Sequence, residues 1–349
     1  MLSKADSVPG QGVGSAYLEQ TRLVKELKDI EIEINARKGD FDIYHIHSVN
    51  LGYRLRMNKK HINIAYVHFV PSENEGSIKL PRFLQFIFDK YVNGFYKKAD
   101  ELVVVNPAFI KPLEEIGIGR DRITYIPNYV DSESFKKLSP FDIASIKNEY
   151  QIDPNAFVVL GCGQIQTRKG FDDFIEVVKN NPEITFLWAG GFSFGFITDG
   201  YKRYKKILEN PPKNLKVLGI IDRDKMNAIY NISDVFFMPS FKELFPMAIL
   251  EAVNVGKPIL LRDLNLYKPI LFERYARGKS VDDFSLEIRK LKNDREYYHK
   301  QVENSEFIAR FYSKERLLDE WNKYYHRIYD KYKRNNMEWQ IWINTWEWQ

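Results

Sequence analysis

Short apolar, β-rich runs recur along this chain with helix-length amphipathic segments between them, and no other feature narrows the possible folds as much. In the first half the runs are "DIEIEIN", "FDIYHIHSV", "INIAYVHFV", "ELVVVN" and "ITYIPN". The second half supplies "AFVVLGCG", "ITFLWAGG", "LKVLGII", "DVFFMPS" and "PILLRD". Strands separated by helices need crossover connections, so each series predicts a parallel sheet built from βαβ units. Two such series in 349 residues exceed what one hydrophobic core fills. The expected architecture is α/β, with two Rossmann-like, doubly wound domains over 1–153 and 154–315. Their boundary is placed near Asp153, in the polar, proline-bearing stretch that follows "IPNYVD". A helical pattern over about 316–334 is expected to pack back on the first domain. The tail, 335–349, holds four of the six tryptophans and fits neither domain. It reads as an interfacial anchor, a partner-binding segment or an irregular terminus.

A hydrophobic content of 44% excludes a disordered body. The single cysteine, Cys162, excludes an internal disulfide and a cysteine-rich metal site, which agrees with a reducing cytoplasm. No secretory pattern opens the chain, and no apolar run approaches the roughly 20 residues of a membrane span. A formal charge of +5 is too mild to mark a nucleic-acid binder, and no nucleic-acid partner is expected. Charge is unevenly spread, however. Nine Lys or Arg face three acids between Arg54 and Lys98, interleaved with Phe83, Phe86, Phe88, Tyr91, Phe95 and Tyr96. Such a helix either rests on an anionic lipid surface through Arg82, Lys90, Lys97 and Lys98, or packs on a sheet as an ordinary amphipathic helix.

Doubly wound folds place ligands where strands end and helices begin. The opening "MLSK" is too short for a full buried strand, and it leads into "GQGVG" and an amphipathic helix. Gly12 and Gly14 there permit a close backbone approach, although the spacing is not G-x-G-x-x-G. In "GCGQIQTRKGFDDFIEVV", Arg168 and Lys169 precede a helix expected near Phe171, so two cations and free N–H groups would face one anion such as a pyrophosphate. An isolated Arg-Lys pair is also readable as solvated surface charge. In "ELFPMAILEA", Pro246 suits a helix's first turn, leaving Glu243 in the loop before it and Glu251 inside the helix. Two carboxylates flanking helix N–H groups suit hydroxyls on both sides of a diphosphate, the pattern of a nucleotide sugar; alone, they are also readable as helix-solvating acids. Asp40 and Asp42 form a D-x-D in the wrong half for metal work, and His45 and His47 lack a third ligand.

Taken together, Glu-x7-Glu after a strand ending in Pro-Ser, "GQIQTRKG", "GQGVG" and "IPNYVD" resemble the family-4 retaining glycosyltransferases of the GT-B fold, whose two domains face a cleft. The wording "SKADSVPGQGVGSAYLEQ", "TDGY" and "ELFPMAILEA" is most similar to bacterial glycolipid synthases that add a second hexose to monoglucosyl-diacylglycerol. The resemblance implies that Glu243 holds donor-sugar hydroxyls, Glu251 holds the ribose, and Arg168 and Lys169 neutralise the departing diphosphate. It places Gly12 and Gly14 at the phosphates, His68 at the transferred sugar, and Phe245, Pro246 and Gln164 in the donor site. By itself, His68 is equally a strand-end core histidine. Gln164 stands where many relatives carry Arg, which shifts diphosphate binding toward Arg168 and Lys169. The implied enzyme is a retaining, metal-independent hexosyltransferase using UDP-glucose or UDP-galactose, with no cofactor, peripheral on the inner face of the cell membrane. Two alternatives remain open: the same fold acting on a polyprenyl-linked or soluble glycan, and a non-catalytic lipid- or partner-binding protein on a transferase scaffold.

Overall fold

The computed structural model describes residues 1–4, 12–36, 39–71, 81–192, 195 and 198–346; for Arg82 and residues 334–346 it describes the backbone alone. The chain divides into two compact units. The first comprises Met1–Asp6, Tyr17–Pro127 and Lys314–Gln349, and the second Ser7–Ala16 and Asn128–Ser313.

Four parallel strands form the sheet of the first unit in chain order: β1 (Ile43–Ile46), β2 (Ile62–Val67), β3 (Glu101–Val104) and β4 (Ile123–Tyr125). Leu2 adds one parallel bridge to Ile46 at the outer side of β1. That bridge is where the expected strand over "DIEIEIN" goes wrong. Its Ile/Glu alternation is a strand pattern, but Leu2 already takes the backbone groups of His45 and His47, and the segment instead turns at Asn35, whose φ is +53°. The helices here are α1 (Gly12–Val24), which falls in this unit from Tyr17 onward, α2 (Leu51–Arg56), α3 (Arg82–Lys98) and α4 (Ile110–Glu115).

Residues two apart on a strand share a face. His45 of β1 with His47 just past its end, and Tyr66 of β2 with His68 just past its end, accordingly form one buried layer. The His45 and His47 rings stack at 4.6 Å, and His47 lies 5.7 Å from His68.

The second unit orders its six parallel strands β10-β9-β8-β5-β6-β7. They are β5 (Val158–Cys162), β6 (Thr185–Ala189), β7 (Leu215–Gly219), β8 (Val235–Met238), β9 (Ile259–Arg262) and β10 (Ala276–Gly278). Its helices are α5 (Pro140–Glu149), α6 (Phe171–Asn180), α7 (Tyr201–Glu209), α8 (Arg223–Asn231), α9 (Met247–Asn254), α10 (Lys268–Leu271), α11 (Val281–Asn293) and α12 (Arg295–Phe311). Apolar spacing dictates α6, whose Phe171, Phe174, Ile175, Val177 and Val178 are all buried; Asp172 and Asp173 in its first turn suit the helix dipole. A Ser280–Asp283 capping box starts α11, which lays Phe284, Ile288 and Leu291 into the same core. The last helix, α13 (Lys314–Trp346), belongs to the first unit. It buries Trp321, Tyr325 and Ile328 there, with the Tyr325 hydroxyl 2.8 Å from His45 Nδ1. The Trp-rich tail is backbone helix as far as Trp346; its side chains and residues 347–349 lie outside the described residues.

The units part between Pro127 and Asn128, upstream of the expected break at Asp153. The polar connecting stretch is docked on the second unit rather than free. Asn227 and Asn231 of α8 bind the backbone N–H groups of Lys136 and Leu138 at 3.0 and 2.9 Å, and Phe135 is buried against Tyr230.

Candidate active site

In the second sheet the chain runs outward from β5 to β7, then returns to lay β8 on the other side of β5. Strand order therefore reverses between β5 and β8, and the loops leaving their carboxyl ends splay around a crevice at that point. Both motif-bearing loops emerge here.

The loop after β5 ends in a 3-10 turn, Thr167–Lys169, and then Gly170, which caps α6 with φ +70°. A Cβ on Gly170 would stand 2.3 Å from the Pro239 carbonyl oxygen, so glycine is what lets the two loops touch. They are joined by more than contact. The Phe241 N–H donates to the Arg168 carbonyl at 2.9 Å, Arg168 Nη1 donates to the Lys242 carbonyl at 2.7 Å, and Lys169 Nζ pairs with Glu243 Oε1 at 2.5 Å. Arg262 of β9 braces the assembly, donating to the Pro239 carbonyl at 2.8 Å, pairing with Asp173 and lying 3.9 Å over the Phe241 ring. Neither α6 nor α9 has a side-chain hydrogen bond at its N-cap. Arg168 and Lys169 are therefore half-buried members of a built loop rather than two solvated charges.

Glu243 is buried, which by itself would raise its pKa; the charges of Lys169 and Arg168 outweigh this and hold the carboxyl below its usual range. A fixed, ionised carboxylate beside a fixed ammonium results. The buried Tyr267 hydroxyl feels the Glu243 charge; burial first and that charge second keep it protonated, and it has no hydrogen-bond partner among the described residues.

Glu251 sits inside α9, which starts at Met247; Pro246 is its N-cap rather than a residue of its first turn. Both Glu251 oxygens are held. Tyr230 donates to Oε2 at 2.8 Å, and Arg223 pairs with Oε1. Cys162, at the end of β5, feels burial first and the Glu251 charge second, and its thiol is pushed up to about 12.

The remaining expected residues are placed as follows. Gln164 is half-buried and accepts from Gln166 Nε2 at 3.1 Å. Phe245 is buried against Tyr312, its carbonyl accepting from Asn128 Nδ2 at 3.2 Å, so "IPNYVD" supports the Glu243 loop from behind. Gly12 opens α1 and Gly14 is buried within it. His68 belongs to the first unit, where burial pushes its pKa down to about 3 and keeps the ring neutral. Among the described residues, no group of three or more His, Cys, Asp or Glu is arranged to hold a metal ion. Arg223, Tyr230, Arg262 and Tyr267 escaped the sequence reading. For Arg223 a signal existed: it follows "LKVLGII", another strand end on the same edge of the sheet.

Residues 142–306 match the family described as glycosyl transferases group 1, and residues 18–134 match glycosyltransferase family 4. The α-galactosylglucosyldiacylglycerol synthase of Streptococcus pneumoniae is 42% identical over 94% of this chain and 88% of its own length. The chain belongs to the family-4 glycosyltransferases. A second relative of this transferase, the processive diacylglycerol α-glucosyltransferase of Acholeplasma laidlawii, is 27% identical over 82% of this chain and 86% of its own. Among solved structures, Anabaena HepE in complex with UDP-glucose superposes with a TM-score of 0.70 at 16% identity, over 82% of this chain and 79% of that one. The transferase thus has the GT-B fold of two parallel-sheet α/β domains.

Proposed function

We propose that this transferase moves glucose or galactose from a UDP-sugar to monoglucosyl-diacylglycerol, with retention at the anomeric carbon and without a divalent ion. The observation that carries the reading is the Lys169–Glu243 pair, fixed where β5 and β8 part. A carboxylate there accepts hydrogen bonds from hexose hydroxyls, while Lys169, Arg168 and the uncapped first turns of α6 and α9 present positive charge to a diphosphate. The bond from the anomeric carbon to the diphosphate breaks as that charge is stabilised, the acceptor hydroxyl bonds to the same carbon from the same face, and its proton passes to the departing phosphate oxygen. Glu251 then holds the ribose, and Gly12 and Gly14 let the chain approach the phosphates. His68, kept neutral, serves as a hydrogen-bonding group rather than a charge. The names of the pneumococcal and Acholeplasma relatives support a diacylglycerol glycolipid as acceptor, and the UDP-glucose held by HepE supports the donor.

Incubation with glucosyl-diacylglycerol liposomes and a panel of nucleotide sugars should yield a diglycosyl lipid from UDP-glucose or UDP-galactose, equally well in EDTA. Transfer only to polyprenyl-linked or soluble acceptors would overturn the acceptor assignment. Loss in EDTA with rescue by Mg²⁺ or Mn²⁺ would overturn metal independence.

The acceptor lies in a membrane, and no helix among the described residues is long and apolar enough to cross one. The reading is therefore of peripheral binding, and the surface of α2 and α3 supports it. Phe83, Phe86 and Ile87 are 65%, 67% and 58% exposed and share a stripe of α3 with Lys90 and Lys97, while Leu51 and Leu55 of α2 are exposed as well. The two helices are joined by Arg54 over the Tyr91 ring and by Lys98 donating to the Arg54 carbonyl at 2.7 Å. The Arg82 side chain lies outside the described residues. Each lysine near an anionic leaflet contributes about 1 kcal/mol, screened by salt. Charge reversal at Lys90, Lys97 and Lys98 should weaken binding to phosphatidylglycerol liposomes and lower activity on them, yet spare activity on a detergent-dispersed acceptor. Unchanged liposome binding across a salt titration would assign docking elsewhere.

A further inference from the structure

We propose that Arg223 is a positioning residue for the nucleotide, one that sets the Glu251 carboxylate on the ribose and so governs UDP affinity rather than the transfer step. The inference rests on the reading of Glu251 as the ribose ligand.

An ionised carboxylate has about four acceptor sites, two on each oxygen. Tyr230 occupies one site on Oε2 and Arg223 one on Oε1, so each oxygen keeps an acceptor site for a further donor. Paired acceptors of that kind match a vicinal diol, which in a nucleoside diphosphate is the ribose 2′,3′-diol. Because the two tethers hold different oxygens, the carboxylate cannot rotate about its own axis. The tethers are themselves fixed. The Arg223 guanidinium lies 5.0 Å over the Phe135 ring, and the same ring packs at 6.0 Å, edge-on, against Tyr230. Burial and the Glu251 charge keep the Tyr230 hydroxyl protonated, so it stays a donor.

Arg223 also differs from Tyr230 in access. Its side chain is 29% exposed against 7% for Glu251, so the guanidinium is the more open of the pair to solvent. Arg223 is the first residue of α8, after β7, and Glu251 is on α9, after β8, so two connections that are consecutive in the chain but leave strands separated by two others in the sheet's order meet through this ion pair. When a nucleotide strips water from Glu251, the neighbouring guanidinium keeps the carboxylate oriented.

Calorimetric titration with UDP and with 2′,3′-dideoxy-UDP tests the idea, alongside steady-state kinetics on the full chain. The parent should prefer UDP. Arg223→Met should weaken UDP binding about tenfold or more, raise KM for the donor by a similar factor, leave kcat within about threefold, and erase most of the preference for the diol. Arg223→Lys should restore part of it. Should Arg223→Met fail to fold, Arg223→Lys and Tyr230→Phe decide, each expected to lower the UDP-to-dideoxy preference with the fold kept. An ion pair that merely ties α8 to α9 would change thermal stability and leave that preference intact, and this result would overturn the proposal. Glu251→Gln separates the two levels of inference. If it binds both nucleotides as the parent does, the ribose reading of Glu251 itself is wrong. If it loses the preference while the Arg223 variants keep it, only the role of Arg223 is wrong.

Discussion

Replacing Lys169 with alanine should lower turnover at least about a hundredfold, the scale for losing one preorganised contact to developing charge. Under the proposed function this variant has two separate effects. Removing the ammonium deprives the departing diphosphate of a fixed cation, and it also leaves Glu243, whose side chain is 6% exposed, without its partner. An unpaired buried carboxylate costs about 3–5 kcal/mol and would raise the Glu243 pKa, so Lys169→Ala should lose stability as well as rate. Glu243→Gln disentangles the two, because it keeps the volume and a hydrogen-bond acceptor for Lys169 while removing the charge proposed to hold hexose hydroxyls. It should lose turnover on the same scale with a smaller change in thermal midpoint. Near-parental turnover in both variants would remove the pair from the catalytic machinery.

The second large effect concerns acid and belongs to the first unit. His45, His47 and His68 are buried, and burial is the foremost cause holding each well below its ordinary value of 6.5; for His68 the value is about 3. Above pH 6.5 neither folded nor unfolded chain carries these protons, so the three rings do not make stability pH-dependent. As pH falls below 6.5 the unfolded chain takes up a proton on each ring and the folded chain does not, so stability declines, for His68 until the pH reaches its folded value of about 3. Each neutral ring costs about 1.4 kcal/mol per pH unit in that window, and three together about 4 kcal/mol. That is a large share of the roughly 5–15 kcal/mol of an ordinary domain. Hydrogen exchange of peptides from β1 and β2, corrected for its intrinsic pH dependence, should lose protection between pH 7.5 and 5.5, while β5 and β8 in the second unit stay protected. His47→Phe should flatten the slope by about a third. Equal protection of β1 and β2 at both pH values would mean that the rings are not held neutral.

How much of this was legible in the sequence depended on whether the deciding groups leave a pattern. Four of the five first-half runs became strands, and all five second-half runs did, because buried parallel strands must be continuously apolar. The three-residue β10, Ala-Arg-Gly, has no apolar run to read. "DIEIEIN" carried a strand pattern, but pairing needs a free neighbour, and a pattern cannot say that Leu2 has taken it. The boundary was misplaced for a related reason: a polar stretch held by Asn227 and Asn231 through its backbone has the composition of a free linker. Glu243 and Glu251 stood out by spacing and by their place after a strand. Arg223 and Tyr230 complete the same constellation from another connection, and no spacing rule links residue 223 to residue 251.

The interlocking of the Arg168–Gly170 and Pro239–Glu243 segments has a consequence for redesign. Their donors, acceptors and bare glycine face are complementary to one another, so two pieces of chain 74 residues apart behave as a single exchangeable part. Grafting one loop from a relative to change the sugar that is transferred imports half of that part, and the mismatch falls on the Arg168–Lys242 and Lys169–Glu243 contacts. Chimaeras that carry both segments together, with the Arg262 that braces them, are the ones that should keep the proposed donor site working.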